Sequence, residues 1–271
     1  MSPQEPNRES GMRVSGRMST VTKTTGVAVA AVLLAGGAYA WAAEPSAASG
    51  HHGSHEPTNI GQVKLDVKAY YGDTTDADGH HHASPDSDWA KDTARQVSDA
   101  QRALRRALDH GVANAAVVLD VDDTSELTYG LNADNDFGYD PVEAEEAINN
   151  GDYPAIEPTM DFANYAADHG VKVFFITGRP EHQRTATLKN LANEGYPAPT
   201  DAFLKPEGTA PDWLPCGLKC TTIEYKSAAR AHVEDAYDVT IVVNMGDQFS
   251  DLKGGHSQHP VKLPNPMYYL P

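Results

Sequence analysis

The stretch Val117–Thr124, with the sequence VVLDVDDT, carries an apolar run directly into a polar turn. Residues i and i+2 of an extended strand point to the same side, so Asp120 and Asp122 are expected together at a strand's carboxyl end. Open α/β sheets bind their ligands at that edge. Two carboxylates this close are unfavourable unless a cation, a proton or a reaction compensates them. The stretch therefore predicts an α/β sheet with a functional site at its edge.

Outward from this stretch, strand-like and helix-like segments alternate. Apolar and β-branched runs of strand length predict strands at 115–119, 171–176, 202–204 and 239–243. Apolar residues at three- and four-residue steps predict helices at 87–110, 158–170, 180–195 and 226–236. This alternation is typical of βαβ units, so we expect an α/β fold with a central parallel sheet. The acidic, weakly periodic segment Ser125–Ile156 predicts a small insertion over the site.

The N-terminus has the pattern of a targeting segment. Basic residues precede the apolar run Val27–Leu34, and Ala38–Ala40 and Ala40–Ala42 both match the A-x-A cleavage pattern. We predict a signal peptide at 1–42, a flexible His-containing linker at 43–60 and one domain at 61–271. The protein is then secreted or at the cell surface, with no stable membrane partner. The alternative is an uncleaved anchor over roughly 26–43, which is only just long enough to span a bilayer.

Charge and cysteine content narrow the possible partners. The formal net charge is −17, which disfavours binding to nucleic-acid backbones and anionic lipids. The two cysteines, Cys216 and Cys220, predict a disulfide in an exported protein, and two thiols alone do not complete a structural zinc site. Histidines at 51, 52, 55 and 80–82 raise the possibility of metal binding, but histidine in loops and low-complexity segments needs no ligand.

Other predicted strands also end in polar signatures. The second strand runs into Thr177-Gly178-Arg179, the last runs into Gly246–Asp251, and Lys226 opens a predicted helix between them. In a parallel sheet these ends converge on one crevice, which would collect Asp120, Asp122, Thr177, Lys226, Asp247 and Asp251. Clustered carboxylates without His or Cys favour a hard cation, and Mg²⁺ suits a site that also holds phosphate.

These signatures resemble those of the haloacid dehalogenase superfamily: D-x-D-x-T, a Thr after the second strand, a Lys at a helix start, and G-D-x-x-x-D, in that order. Tyr225–Arg230, Gly246–Leu252 and Lys262–Tyr269 are similar to the acid phosphatases of subfamily IIIB, which also contains the plant vegetative storage proteins. The resemblance covers Gly61 to the C-terminus. It implies a three-layer α/β/α Rossmann-like fold and an acid phosphatase that hydrolyses small phosphomonoesters.

The resemblance also implies residue roles. Asp120 is the nucleophile that becomes an aspartyl-phosphate, and Asp122 is the general acid and base. Thr177 and Lys226 bind phosphoryl oxygens. The ligands of Mg²⁺ are Asp120, Asp247 and the main-chain carbonyl of Asp122, with Asp251 nearby and binding directly or through water. The charges support this assignment independently, because a carboxylate attacks a phosphate dianion poorly without nearby cations.

Several alternatives stay open. Asp123 is expected to be a turn or cap residue. Arg179 and Arg184 are expected either to contact substrate or to lie on the surface, and His182, His232, His256 and His259 are unassigned. Rival functions are a non-catalytic storage or phosphate-ligand-binding protein, and a 5′-nucleotidase or phosphotransferase.

Overall fold

The computed structural model describes residues 57–271, which form one compact unit. The predicted signal peptide and nearly all of the predicted linker lie outside the described residues and stay predictions. Among the described residues, no helix is long and apolar enough to cross a membrane.

The domain contains eight helices and seven strands in its described part. The helices are α1 Ile60–Tyr71, α2 Asp88–Asp109, α3 Tyr129–Asp134, α4 Pro141–Asn150, α5 Glu157–Asp168, α6 Arg184–Asn193, α7 Thr222–Tyr237 and α8 Phe249–Leu252. The strands are β1 Thr74–Thr75, β2 His81–His82, β3 Ala115–Leu119, β4 Lys172–Pro180, β5 Asp201–Lys205, β6 Thr240–Gly246 and β7 His259–Lys262. Strands β1 and β2 form a small antiparallel pair.

The central sheet has the order β5-β4-β3-β6-β7, and all its pairs are parallel. All five residues of the middle strand β3 are buried. Val117 and Leu119 pack into one apolar cluster with α2 and α5, whereas Ala116 and Val118 pack into another with α7. A parallel strand covered on both faces reads as a continuous apolar run, as β3 does. The predicted α/β fold with a central parallel sheet between helices is confirmed.

Helix α7 begins one turn earlier than predicted. The Thr221 hydroxyl accepts a hydrogen bond from the backbone N–H of Glu224, and the Glu224 side chain accepts from the Thr221 backbone N–H. This reciprocal capping box sets the start of the helix at Thr222. Lys226 therefore lies in the second turn, and the expectation that it opens the helix is wrong.

Strand β4 continues beyond its predicted end at residue 176. The signature Thr177-Gly178-Arg179-Pro180 belongs to the strand, with a shift in its pairing to β5 between Ile176 and Pro180. The predicted helix at 180–195 is present as a short 3₁₀ turn, Glu181–Gln183, followed by α6. The apolar pattern ends at Ile176, where polar, glycine and proline residues begin, so the pattern alone did not predict these last four residues.

The segment Ser125–Ile156 contains two helices that its weak periodicity did not predict, α3 and α4. Its two ends pair through Leu127 N to Pro154 O at 2.9 Å and Ile156 N to Ser125 O at 2.9 Å. We call these paired ends, 125–127 and 154–156, the stem of the insertion.

The predicted disulfide between Cys216 and Cys220 is present. The disulfide spans the 3₁₀ turn Gly217–Lys219, and both cysteines pack against the apolar cluster that includes residues of α7.

Candidate active site

Asp120 is the first residue after β3, and it lies beside the ammonium group of Lys226. Lys226 Nζ donates to Asp120 Oδ1 at 2.6 Å and also to Asp251 Oδ1. All three residues are buried, although they come from different parts of the chain. The carboxyl end of β3 and the second turn of α7 therefore meet at a buried ion cluster.

Asp247 and Asp251 enter this cluster from the turn after β6. The backbone N–H of Gln248 donates to Asp251 Oδ2 at 2.8 Å, which fixes the Asp251 side chain at the start of α8. A Cβ atom at Gly246 would lie 2.4 Å from the Cβ of Asp251, so only glycine allows this approach. The G-D-x-x-x-D spacing thus has a steric basis.

The three carboxylates offer oxygen atoms within 4.8 Å of one another. Burial raises the pKa of Asp120 well above its usual value, against the opposing effect of Lys226, and burial beside Asp251 also raises the pKa of Asp247. Burial lowers the pKa of Lys226, but its two carboxylate partners outweigh that effect and raise it overall. Three acidic groups against one ammonium group fit a divalent cation with a preference for oxygen ligands.

Asp122 has a different set of partners. Its carboxylate accepts from Arg179, with Nη2 to Oδ1 at 2.6 Å and Nε to Oδ2 at 3.2 Å. The strand ends at Leu119 and the chain turns, so Asp120 and Asp122 pair with different cations, Lys226 and Arg179. Asp122 keeps 31% of its side chain exposed, and it lines the cavity beside the cluster together with Asp120.

Arg179 is 4% exposed, so a surface role is wrong for it. In addition to Asp122 it contacts Glu126, with Nη2 to Oε2 at 2.7 Å, and Thr187, with Nη1 to Oγ1 at 3.1 Å. Glu126 is a site residue that sequence reasoning missed. A single glutamate inside an acidic segment carries no spacing signal that separates it from its neighbours.

Thr177 is completely buried within β4, three residues before the strand ends. Its Oγ1 accepts from the backbone N–H of Arg179 at 3.1 Å. The neighbouring residues Gly178 and Arg179 line the cavity, whereas Thr177 is not among the lining residues. Its assignment to phosphate binding stays a prediction.

The C-terminal residues 264–271, here called the tail, are a second feature of the site that was not predicted from the sequence. Asn265 Nδ2 donates to Asp247 Oδ2 at 2.7 Å, and the Tyr268 hydroxyl donates to Asp123 Oδ2 at 2.7 Å. Asp123 has φ 53° and accepts from Thr128 N at 3.0 Å, which agrees with its expected role in a turn. Burial, together with the negative charge of Asp247, raises the pKa of Asp123 to about 7.

The remaining candidates lie outside the cluster. Arg184 Nη1 donates to the main-chain oxygen of Ala202 at 2.8 Å, and its other contacts are to Glu181. His182 lies at the cavity rim, and its Nδ1 is 2.8 Å from Oε2 of Glu207. His232 stacks on Trp213, and His256 contacts Glu234. The histidines of the 80–82 run each contact one carboxylate, in the pairs His80–Asp134, His81–Asp73 and His82–Asp76.

The cavity has a volume of about 680 Å³. Its floor is the ion cluster, and its walls come largely from the insertion. Apolar and aromatic side chains dominate these walls, including Leu131, Phe137, Tyr139, Ile148, Tyr153 and Tyr225.

The fold and the site together define a phosphomonoesterase, with carboxylates and a lysine at the carboxyl edge of a parallel sheet. The family model of the HAD superfamily, subfamily IIIB (Acid phosphatase), matches residues 61–271, and the chain belongs to this family. The resemblance predicted from the motifs is confirmed.

Similar proteins agree with this assignment. Acid phosphatase 1 of Solanum lycopersicum is 35% identical over 181 residues, which cover 65% of this chain and 67% of that protein. The stem 28 kDa glycoprotein of Glycine max is 32% identical over 147 residues, and the alignment spans about half of each protein, 52%. The class C acid phosphatase from Bacillus anthracis shares the fold, with a TM-score of 0.55, 22% identity and coverage of 76% of this chain and 85% of that chain.

Proposed function

We propose that this protein is an exported, Mg²⁺-dependent phosphomonoesterase that works through an aspartyl-phosphate on Asp120. The observation that carries the proposal is the buried Lys226 ammonium, 2.6 Å from Asp120 Oδ1 and in contact with Asp251. A carboxylate and a phosphate dianion repel each other, so attack needs positive charge held in the same crevice. Lys226 supplies one such charge at the nucleophile itself.

In the proposed reaction the Asp120 carboxylate attacks phosphorus in line, and the bond from phosphorus to the leaving oxygen breaks. Asp122 gives its proton to that oxygen and later takes a proton from the water that hydrolyses the aspartyl-phosphate. The partial exposure of Asp122 to the cavity supports this role, because a proton donor must reach the leaving group. Lys226 and Thr177 are assigned to the phosphoryl oxygens.

The residues that would hold Mg²⁺ are Asp120, Asp247, Asp251 and the main-chain carbonyl of Asp122. When bound, the ion offsets negative charge on the phosphoryl group and the carboxylates. The carboxylate oxygens, within 4.8 Å of one another, support a hard cation at this position.

The test is release of inorganic phosphate from p-nitrophenyl phosphate by the purified protein, with Mg²⁺ and with EDTA. We expect turnover with Mg²⁺, loss of turnover in EDTA, and a fall of at least about 1,000-fold in kcat for Asp120→Asn. Asp235→Asn, an exposed substitution on α7, is the matched control and should leave kcat unchanged. Full activity of Asp120→Asn would exclude the aspartyl-phosphate route.

Other outcomes of the same assay distinguish the rival functions. Tight binding of a phosphate analogue without turnover would favour a storage or binding protein. Transfer of the phosphoryl group to an added alcohol, in preference to water, would favour a phosphotransferase.

The cavity walls support a leaving group that is apolar or aromatic. Aromatic rings of Phe137, Tyr139 and Tyr153 line the cavity, and the carboxylates of Asp140 and Glu145 add negative charge to its rim. Apolar walls favour burial of an apolar group, while rim carboxylates repel a second phosphate.

We therefore expect kcat/KM for an aryl phosphate to exceed that for glycerol phosphate by at least about tenfold, since burial of one ring contributes more than 1.4 kcal/mol. Tyr153→Ala should reduce this ratio, and Tyr165→Ala, on the far helix α5, should not. Equal kcat/KM for the two substrates would contradict an apolar leaving-group site.

Export is supported by the basic, apolar and A-x-A pattern of residues 1–42 and by the disulfide Cys216–Cys220. Expression of the full chain in a bacterial host, with N-terminal sequencing of the exported protein, tests it. We expect a mature N-terminus after Ala40 or Ala42. An intact N-terminus in the membrane fraction would support the anchor alternative.

A further inference from the structure

Arg179 is held by side chains from three parts of the chain. Its guanidinium donates to Asp122 after β3, to Glu126 in the stem of the insertion, and to Thr187 in α6. The Tyr153 ring lies 5.7 Å from its Cζ atom. Hydrogen bonds on several sides restrict the planar guanidinium of Arg179 to one orientation. The Asp122 carboxylate that it binds is therefore oriented as well.

Glu126 is the most deeply buried side chain of this set. Its side chain is fully buried, and burial raises its pKa to about 7 against the opposing effect of Arg179. Its Oε1 has no hydrogen-bond partner among the described residues, while Oε2 accepts from Arg179. A buried carboxyl group with one unsatisfied oxygen is unfavourable for folding, so its retention needs another explanation.

The backbone of Glu126 is tied both to Asp122 and to the insertion. Glu126 forms isolated β-bridges with Asp122 on one side and with Ala155 on the other. The side-chain contacts then connect Glu126 to Arg179 and Arg179 to Asp122. Exposure follows the same order, with 0% for the side chain of Glu126, 3% for Arg179 and 31% for Asp122. Arg179 and Asp122 both line the cavity, and Asp122 is by far the more exposed of the two.

We infer that Glu126 is a positioning residue: its hydrogen bond to Arg179 fixes the guanidinium, which holds the Asp122 carboxylate toward the leaving group. The inference rests on the proposed function, in which Asp122 transfers the proton. Glu126 acts through Arg179 and does not contact substrate. What matters is an acceptor oxygen at the right distance from Nη2, and not the negative charge itself.

Two conservative substitutions separate these possibilities. Glu126→Gln keeps an acceptor oxygen at the same reach, so kcat should stay within about threefold of the wild-type value. Glu126→Asp keeps the acid but withdraws the oxygen by one carbon–carbon bond, so kcat should fall about 10- to 100-fold with little change in KM. The opposite ranking, with Asp active and Gln inactive, would overturn the inference, as would equal kcat for all three proteins.

Glu194→Asp is the matched control, because it withdraws an acceptor oxygen from the stem by one carbon–carbon bond, as Glu126→Asp does. Glu194 Oε2 accepts from the backbone N–H of Ala155 at 2.7 Å, so it also supports the stem, but it makes no contact with Arg179. If loosening the stem were sufficient, this variant would lose kcat as Glu126→Asp does. We expect its kcat to match that of the wild-type protein.

A second measurement does not depend on turnover. In ¹H–¹⁵N spectra of the full chain, a fixed guanidinium gives resolved, slowly exchanging Nε–H and Nη–H signals. The Arg179 signals should persist in Glu126→Gln and broaden in Glu126→Asp. Persistence in both variants would overturn the inference even for a protein without phosphatase activity, whereas absence of wild-type turnover alone would count against the proposed function only.

Discussion

At the scale of single residues, Lys226 is the cation of the buried cluster, and its removal is informative. Its ammonium contacts Asp120 and Asp251 with little access to solvent. Truncation of one partner in a buried ion cluster leaves uncompensated charge, at a cost of about 3–5 kcal/mol. Lys226 is therefore the cationic partner of two buried carboxylates, in addition to its proposed role with the phosphoryl oxygens.

We predict that Lys226→Met lowers Tm in EDTA, and that excess Mg²⁺ raises Tm more in this variant than in the wild-type protein. The reason is that the divalent ion becomes the main remaining counter-charge for Asp120 and Asp251. Thermal unfolding followed by circular dichroism measures both effects, with the exposed substitution Lys253→Met as control. Equal Tm values of Lys226→Met and wild-type protein in EDTA would contradict the prediction.

At the scale of elements, the tail supports the turn after β6. In addition to Asn265 and Tyr268, the backbone N–H of Leu270 donates to Gln248 Oε1, and Trp89 Nε1 donates to the main-chain oxygen of Pro264. Gln248 Nε2 in turn donates to Asp247 Oδ2 at 2.7 Å. The tail therefore reaches Asp247 by two routes, directly and through Gln248.

We predict that Asn265→Leu weakens Mg²⁺ binding about 10- to 100-fold, because a partner that orients a ligand carboxylate is lost. The measurement is the Mg²⁺ concentration that gives half-maximal phosphate release, with calorimetric titration as a check. Asn164→Leu removes a comparable hydrogen bond, to the main-chain oxygen of Gly195, far from the site. If both variants needed the same Mg²⁺ concentration as the wild-type protein, the tail would have no part in metal binding.

At the scale of the whole molecule, buried acids give the metal-free protein a defined pH dependence. Burial raises the pKa of Asp123 and that of Glu126 to about 7 in the folded state, above their values in an unfolded chain. Between about pH 4 and 7 the folded protein then binds more protons than the unfolded one. The free energy of unfolding therefore increases as the pH falls through 7, and this added stability is lost again as the pH rises through 7.

We predict that Tm in EDTA is higher at pH 5 than at pH 8, because each such group contributes about 1.4 kcal/mol per pH unit crossed. Glu126→Gln should flatten the dependence, since the amide does not titrate. Mg²⁺ should flatten it further, because the ion stabilises the ionised carboxylates. A Tm that rises with pH in EDTA would show that these acids are ionised in the folded protein.

The sequence and the structure agree best where local pattern and burial coincide. β3 was predicted with its observed bounds because both its faces are covered and every residue is apolar. The convergence of Asp120, Lys226, Asp247 and Asp251 followed from strand ends in a parallel sheet. The start of α7, the last residues of β4 and the helices of the insertion were not predicted, since caps and tertiary contacts define them more than periodicity does.

The amino-acid sequence by itself determined the class of fold, the sheet edge that carries the site and the family. These depend on residue types at fixed short spacings, because the regular geometry of a strand or a helix determines the side to which each residue points. Only the tertiary structure decided which charges meet: Lys226 with Asp120, 106 residues apart, and Arg179 with Asp122, 57 residues apart. The pairing of Asp120 and Asp122 with different cations has the same origin, because after Leu119 the chain leaves the strand and packing brings Lys226 to one carboxylate and Arg179 to the other.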